Sequence, residues 1–124
     1  MKKLISAVIS FIMLFSVSAF AEDVKISDWA EESVRKAHSL NIVEEGRAYD
    51  YTAAITREEF CELVFNTIIA VQGSITTEEA PNVFTDTENS KVITLNRLGI
   101  ISGKTDTEFY PEDFLTREEA AAII

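Results

Sequence analysis

The chain has 124 residues, of which 21 are acidic and 11 basic, so its net charge is −10. A chain this acidic is not expected to bind nucleic acid by neutralising phosphates, or to bind anionic lipid surfaces. It has one cysteine, Cys61, and one histidine, His38. An intrachain disulfide and a structural zinc site are therefore excluded, and we expect neither a metal nor another cofactor.

The first 21 residues have the organisation of a secretory signal peptide. Lys2 and Lys3 precede an apolar run at residues 4–17, and Ala19-Phe20-Ala21 supplies a small-residue cleavage site after Ala21. The apolar run is shorter than the roughly 20 residues that a membrane span needs. We therefore expect export without membrane insertion after cleavage. The mature chain would keep nine basic and 21 acidic residues, for a charge of −12.

The remaining sequence contains two similar units. Residues 26–43 align without a gap to residues 84–101 at an offset of 58, and Thr-Arg-Glu-Glu at 56–59 recurs at 116–119 at an offset of 60. The two additional residues fall between these segments, as expected when insertions occur in loops. We predict a first repeat at 22–72, a polar linker at 73–82 and a second repeat at 83–124. The second repeat is expected to be incomplete at its C-terminal end.

Each unit is predicted to fold as helix, loop, helix, which gives a mostly α protein. Capping boxes are expected for Thr56 with Glu59 and Thr116 with Glu119, and another for Thr85 with Glu88. Apolar spacing predicts helices over roughly 28–39, 56–71 and 88–98, with a last helix starting near 116. The third helix should turn Val92, Leu95 and Leu98 inward, and Cys61 should be a buried, inert thiol.

Capping explains the threonines and glutamates of the repeated motif but not its arginines. Arg57 and Arg117 would each occupy the first helical position, where the helix dipole disfavours a cation by about 0.3–1 kcal/mol. The repetition indicates a dedicated partner. That partner is either a carboxylate of the adjacent unit or an external anion held together with free N–H groups. The residues alone leave both alternatives open.

The motifs of both units resemble the S-layer homology repeat. In the first unit the similarity lies in Trp29-Ala30, Val34, Ile42-Val43 and residues 56–60. In the second it lies in Phe84-x-Asp86, residues 98–103, Phe109-x-Pro111 and residues 115–120. The first unit departs from the pattern in having Asn41 at a glycine position and Tyr49-Asp50-Tyr51 in place of Phe-x-Pro. The second has Thr87 where the first has Trp29.

The resemblance implies a pseudo-threefold helical prism in which three repeats surround a central bundle. Grooves between repeats would bind secondary cell-wall polysaccharide, often bearing pyruvate ketals. Arg57 and Arg117 would then meet the negative charge of the ligand. Trp29 would line or support a groove, and Asp86 and Gly103 would shape the polar site.

These observations predict a non-enzymatic, exported module that anchors its protein non-covalently to an anionic wall polymer. The expected partner is secondary cell-wall polysaccharide or a peptidoglycan-linked glycan, and the expected location is the cell wall or S-layer. The alternative is a set of structural or self-associating repeats belonging to a larger exported protein. Such a protein could be an envelope hydrolase with its catalytic domain elsewhere. The adjacent glutamates of each repeated motif are explained by capping rather than by acid–base catalysis.

Overall fold

The computed structural model describes residues 25–44 and 50–123, and the predicted signal peptide lies outside these ranges. A short 3-10 helix, Asp28–Ala30, leads into α1 (Glu31–Ser39). The other helices are α2 (Arg57–Gln72), α3 (Ser90–Arg97) and α4 (Arg117–Ile123). The described residues contain no β-strand beyond an isolated bridge between Thr56 and Phe114, which confirms the mostly α prediction. None of these helices combines the length and apolar character needed to span a bilayer.

The start of α2 has the predicted capping box. The Thr56 hydroxyl accepts a hydrogen bond from the Glu59 N–H at 3.2 Å, and the Glu59 carboxylate accepts one from the Thr56 N–H at 3.0 Å. The helix ends at Gly73, which adopts a left-handed conformation with φ of 81°. Thr116 and Glu119 form the same reciprocal pair before α4, at 2.8 and 3.1 Å. Both boxes are confirmed because capping depends on residues only three positions apart.

The predicted start of the third helix was wrong. The N-cap of α3 is Asn89, whose side chain accepts a hydrogen bond from the Lys91 N–H at 3.0 Å. The Thr85 hydroxyl donates instead to the Thr107 carbonyl, 3.2 Å away. A contact with a distant loop therefore removes Thr85 from the capping role that its local sequence favours.

Matched backbone turns follow α1 and α3. Asn41 has a φ of 56° and Gly99, 58 positions later, has a φ of 70°. Asparagine is among the non-glycine residues that tolerate this left-handed conformation best. Each turn directs an apolar pair inward, so that Val43 and Ile101 are both buried. The departure from glycine at Asn41 thus leaves the turn intact.

The core lies mainly between α2 and α3. Its members are all buried apolar side chains: Cys61, Phe84, Val92, Leu95, Ile101 and Phe109. Burial raises the pKa of the Cys61 thiol to about 11, as expected for an inert cysteine. The prediction for Leu98 was wrong because this side chain lies beyond the end of α3 and is 40% exposed. Neither α1 nor α4 contains a buried residue.

Candidate functional site

The side chain of Arg57 is enclosed by the second unit. Only 6% of the residue is exposed, and the guanidinium carbon lies 4.7 Å from the centre of the Phe109 ring. Its Nε donates to the Phe109 carbonyl at 3.0 Å, and a terminal nitrogen donates to the Ser102 carbonyl at 3.3 Å. The other terminal nitrogen is 3.5 Å from Glu119 Oε1. The charge of Arg57 is therefore balanced by protein oxygens and an aromatic face.

The backbone at the start of α2 binds the same loop, residues 102–115. The Arg57 N–H donates to the Asp113 carbonyl at 2.8 Å, and the Glu58 N–H donates to the Pro111 carbonyl at 3.1 Å. Next to them, the Leu115 N–H donates to the Ile55 carbonyl at 2.9 Å. The otherwise unsatisfied N–H groups of the helix start are thus paired with loop carbonyls rather than with an external anion.

Asp86 holds the loop from its other side. One carboxylate oxygen accepts from the Phe109 N–H at 2.9 Å, and the other accepts from the Tyr110 N–H at 2.7 Å. Partial desolvation acts to raise the pKa of Asp86, but these N–H donors outweigh it and lower the pKa below its ordinary value. Tyr110 has a φ of 61°, which is unusual for a residue with a bulky side chain. The Asp86 contacts therefore help to hold a disfavoured backbone conformation.

Gly103 is required by close packing. A Cβ atom at this position would lie 2.5 Å from the Thr105 carbonyl oxygen, 2.6 Å from the Glu108 carbonyl oxygen and 2.8 Å from the Phe84 ring. Two of these three neighbours are backbone atoms, which cannot rotate away. Gly103 therefore allows the loop to fold tightly over the core.

Lys104 and Glu119 belong to the same cluster, although the sequence-based site did not include them. Lys104 Nζ lies 2.7 Å from Asp113 and 3.7 Å from Glu119. Hydrogen bonds from the backbone and hydroxyl of Thr116 lower the pKa of Glu119, and the two nearby cations, Lys104 and Arg57, lower it further. The sequence offered one signal that could have pointed to Lys104, because it is the only basic residue between Arg97 and Arg117. The alignment alone did not reveal its contact with α4.

Three of the five predicted site residues therefore lie in or against the loop at residues 102–115, and two do not. Arg57, Asp86 and Gly103 all contact residues 102–110. Trp29 is 86% exposed on the 3-10 helix, and Arg117 is exposed at the start of α4. Within the described part of the chain, neither side chain forms a hydrogen bond, ion pair or ring contact. Arg117 is thus sterically available for an external ligand, whereas Arg57 is not.

The surface beside Arg57 is strongly acidic. A cleft of about 300 Å³ is lined by Thr56 and the side chains Glu58, Glu59, Glu62 and Glu112. The amide of Asn89 donates to Glu58 at 2.6 Å and to Glu62 at 2.9 Å, which partly offsets their repulsion. This concentration of carboxylates disfavours an anionic ligand next to the enclosed arginine.

Comparison with known proteins gives a family match over the second unit. Residues 83–121 match the model of the S-layer homology domain. An exoglucanase, XynX, from Acetivibrio thermocellus is 30% identical over 82% of this chain. An amylopullulanase from Thermoanaerobacterium thermosulfurigenes is 29% identical over the same share. The aligned region covers 10% and 6% of these two proteins. No solved structure gives a significant match.

The matched segment contains the loop just described, with Asp86, Gly103, Phe109 and Arg117 inside its limits. S-layer homology domains bind cell-wall polysaccharide and are not themselves catalytic; they anchor proteins to the cell wall. Residues 83–121 of this chain are therefore an S-layer homology domain.

Proposed function

We propose that this chain is an exported anchoring module that binds an anionic secondary cell-wall polysaccharide non-covalently, with pyruvate ketals as the recognised charge. The proposal includes the signal peptide at 1–21, the first repeat at 22–72 and its linker to the second. Within it, Arg117 is the cation that contacts the polymer. Trp29 supplies an exposed aromatic surface, and Arg57, Asp86 and Gly103 maintain the loop beside the start of α4.

The exposure of Arg117 carries this proposal. Its counterpart Arg57 is satisfied by carbonyl groups of the protein, whereas Arg117 has no hydrogen-bonding or ionic partner among the described residues. A guanidinium can bind a carboxylate through two parallel hydrogen bonds. A carboxylate-bearing sugar is therefore a ligand that this side chain can bind despite the acidic character of the chain.

Co-sedimentation with purified cell-wall sacculi tests the proposal. We expect the protein to pellet with intact sacculi and to remain in the supernatant after acid has removed the wall polymer. Replacing Arg117 with alanine should reduce binding by about tenfold, because one charge-assisted contact is worth roughly 1.5 kcal/mol. Circular dichroism of the same samples would verify that the protein is folded.

Lys36→Ala is the matched control, because it also removes one exposed positive charge but lies on α1. Equal loss of binding in both variants would indicate general electrostatics rather than a site at Arg117. Retention of binding after the polymer is stripped would reject the polysaccharide as the ligand. Sacculi whose polymer lacks pyruvate ketals would test the ligand chemistry separately.

The burial of Arg57 favours a second candidate function. In this alternative, the repeated arginines join structural units that serve as a spacer or self-association surface in a larger exported protein. The similarity to an exoglucanase and an amylopullulanase would suit an envelope hydrolase whose catalytic domain lies elsewhere. A folded chain that fails to bind intact sacculi would support this alternative over anchoring.

A further inference from the structure

The two copies of the Thr-Arg-Glu-Glu motif, at 56–59 and 116–119, contact each other in the structure. A terminal nitrogen of Arg57, in the first copy, lies 3.5 Å from Glu119 Oε1, in the second copy. Lys104 Nζ, from the loop at residues 102–115, lies 3.7 Å from the same oxygen. One carboxylate of the second motif is therefore shared by the buried cation of the first motif and by a cation of the loop.

The two carboxylate oxygens of Glu119 have separate partners. Oε2 accepts the capping hydrogen bond from the Thr116 N–H at 2.8 Å, whereas Oε1 faces the two cations. A glutamine side chain can also fill the capping position, because its carbonyl oxygen accepts the same hydrogen bond. The cap therefore does not require a negative charge at position 119, but the contact with Arg57 and Lys104 does.

Arg117 lies between two attachments of the second motif to the first. Before it, the Leu115 N–H donates to the Ile55 carbonyl at 2.9 Å. After it, Glu119 makes the ionic contacts just described. Helix α4 contains no buried residue, and Ile123, at its far end, is the residue that packs against the core. With so little apolar packing, the direction of the first turn of α4 depends on the contacts of Glu119.

We propose that Glu119 is a positioning residue for the polymer site, because its ion pairs with Arg57 and Lys104 hold the first turn of α4 so that Arg117 is presented to the ligand. The inference rests on the proposed function of Arg117. Glu119 acts through α4 and does not contact the polymer. Docking of the first unit and binding at Arg117 therefore favour each other, since both depend on the same ion pairs.

The proposal predicts the opposite of a simple charge effect. A carboxylate two residues from Arg117 repels an anionic ligand, so its removal alone would strengthen binding. If Glu119 positions Arg117, Glu119→Gln should instead weaken binding to intact sacculi by roughly threefold, because glutamine keeps the cap but loses the ion pairs. Circular dichroism would verify that the variant is folded. Unchanged or stronger binding of Glu119→Gln would overturn the proposal.

Glu118→Gln is the matched control. It removes the same charge from the same first turn of α4, but Glu118 is exposed and forms no hydrogen bond or ion pair within the described part of the chain. Binding by this variant should be unchanged or stronger than that of the wild type. Equal weakening by both substitutions would overturn the proposal, because it would trace the effect to the charge of the helix start rather than to the contacts of Glu119.

The pH dependence of binding separates the charge of Glu119 from its packing. Hydrogen bonds from Thr116, and then the charges of Lys104 and Arg57, hold the pKa of Glu119 below its ordinary value of 4.5. The charged groups that face it are Arg57 of α2 and two loop residues, Lys104 and its partner Asp113. The carboxylate is charged at neutral pH and becomes neutral only as the pH falls through a value below 4.5.

The ratio of wild-type to Glu119→Gln affinity should therefore approach one as the pH falls below 4.5. Titration of the ligand and of other carboxyl groups affects both proteins alike, so it cancels in this ratio. A ratio that stays constant over the whole pH range would contradict the proposal, because it would show that Glu119 acts through its shape rather than through its charge.

Amide hydrogen exchange tests the same contacts without a polymer. Glu119→Gln should speed exchange of the α4 amides by about threefold and leave the α3 amides unchanged, whereas Glu118→Gln should change neither. Unchanged exchange in α4 would overturn the proposal even if Arg117→Ala abolishes wall binding. Faster exchange, in a protein whose wild type does not bind sacculi, would show that the contacts of Glu119 hold α4 and that the proposed function is the part that fails.

Discussion

Arg57 and Arg117 occupy the same position in two copies of one motif, yet their surroundings differ completely. Arg57 contacts the Phe109 ring and two loop carbonyls, whereas Arg117 is exposed. The sequence left two possible partners for these arginines, the adjacent unit or an external anion. In the structure, Arg57 has partners in the adjacent unit, including Glu119, and Arg117 remains available for a ligand. The same residue type is therefore enclosed in one repeat and exposed in the other.

Arg57→Ala is expected to destabilise the fold by about 2–4 kcal/mol, because it leaves buried carbonyl oxygens without their donors. Arg117→Ala, at the matched exposed position, should change the free energy of unfolding by less than about 0.5 kcal/mol. Urea unfolding followed by circular dichroism measures both. Equal effects of the two substitutions would contradict the different roles assigned to these arginines.

Gly103→Ala is expected to cost on the order of 2 kcal/mol, because the new methyl group would collide with two carbonyl oxygens. Gly99 offers a matched control. It has a positive φ but open space around it, and Asn41 already occupies the equivalent turn. Gly99→Asn should therefore cost less than about 1 kcal/mol. Comparable thermal unfolding midpoints for the two variants would show that a Cβ atom at position 103 does not clash with the loop carbonyls.

At the scale of elements, the loop at residues 102–115 joins the two units. It is held on one side by the start of α2 and on the other by Asp86. Its tip contains Tyr110 in a left-handed conformation, which the Asp86 carboxylate supports through the Tyr110 N–H. The attachment of the loop should therefore depend on the ionisation of Asp86.

The lowered pKa of Asp86 predicts the sign of this dependence. A carboxyl with a depressed folded-state pKa contributes stability above its unfolded pKa, and that stability is lost as the pH falls through the folded value. The ordinary value is 3.8, so the loss should occur below it. Glu119 is shifted in the same direction. Asp86→Asn should be less stable than wild type near neutral pH, and the difference should shrink below about pH 4.

Urea midpoints measured from about pH 7 to about pH 3 would check this prediction. Glu88→Gln is a suitable control, because Glu88 is an exposed acid two residues from Asp86. A difference between wild type and Asp86→Asn that stays constant over the whole pH range would show that Asp86 acts through packing rather than through its charge.

At the scale of the whole molecule, the main core lies where two units meet. Helix α2 comes from the first unit and α3 from the second, so neither unit buries its apolar side chains alone. This is the behaviour expected of repeat proteins, in which neighbouring units complete each other's core.

Much of the local structure followed from the sequence. The capping boxes at Thr56 and Thr116 and the end of α2 near Gly73 all depend on neighbouring residues. Such features depend on interactions across three or four positions, which a pattern of residue types can specify. The family resemblance also rested on these local motifs, and the match over residues 83–121 confirmed it.

Tertiary structure decided which residues of the predicted site come together. Arg57 meets Phe109 across 52 positions, and Asp86 meets the same loop across 23. Thr85 does not cap α3 as predicted, because its hydroxyl donates to a carbonyl 22 positions away. Contacts over these separations depend on how the units pack, which short-range patterns do not encode. The sequence by itself therefore determined the repeated helices and the caps of α2 and α4, whereas packing between units determined which arginine is buried and which is exposed.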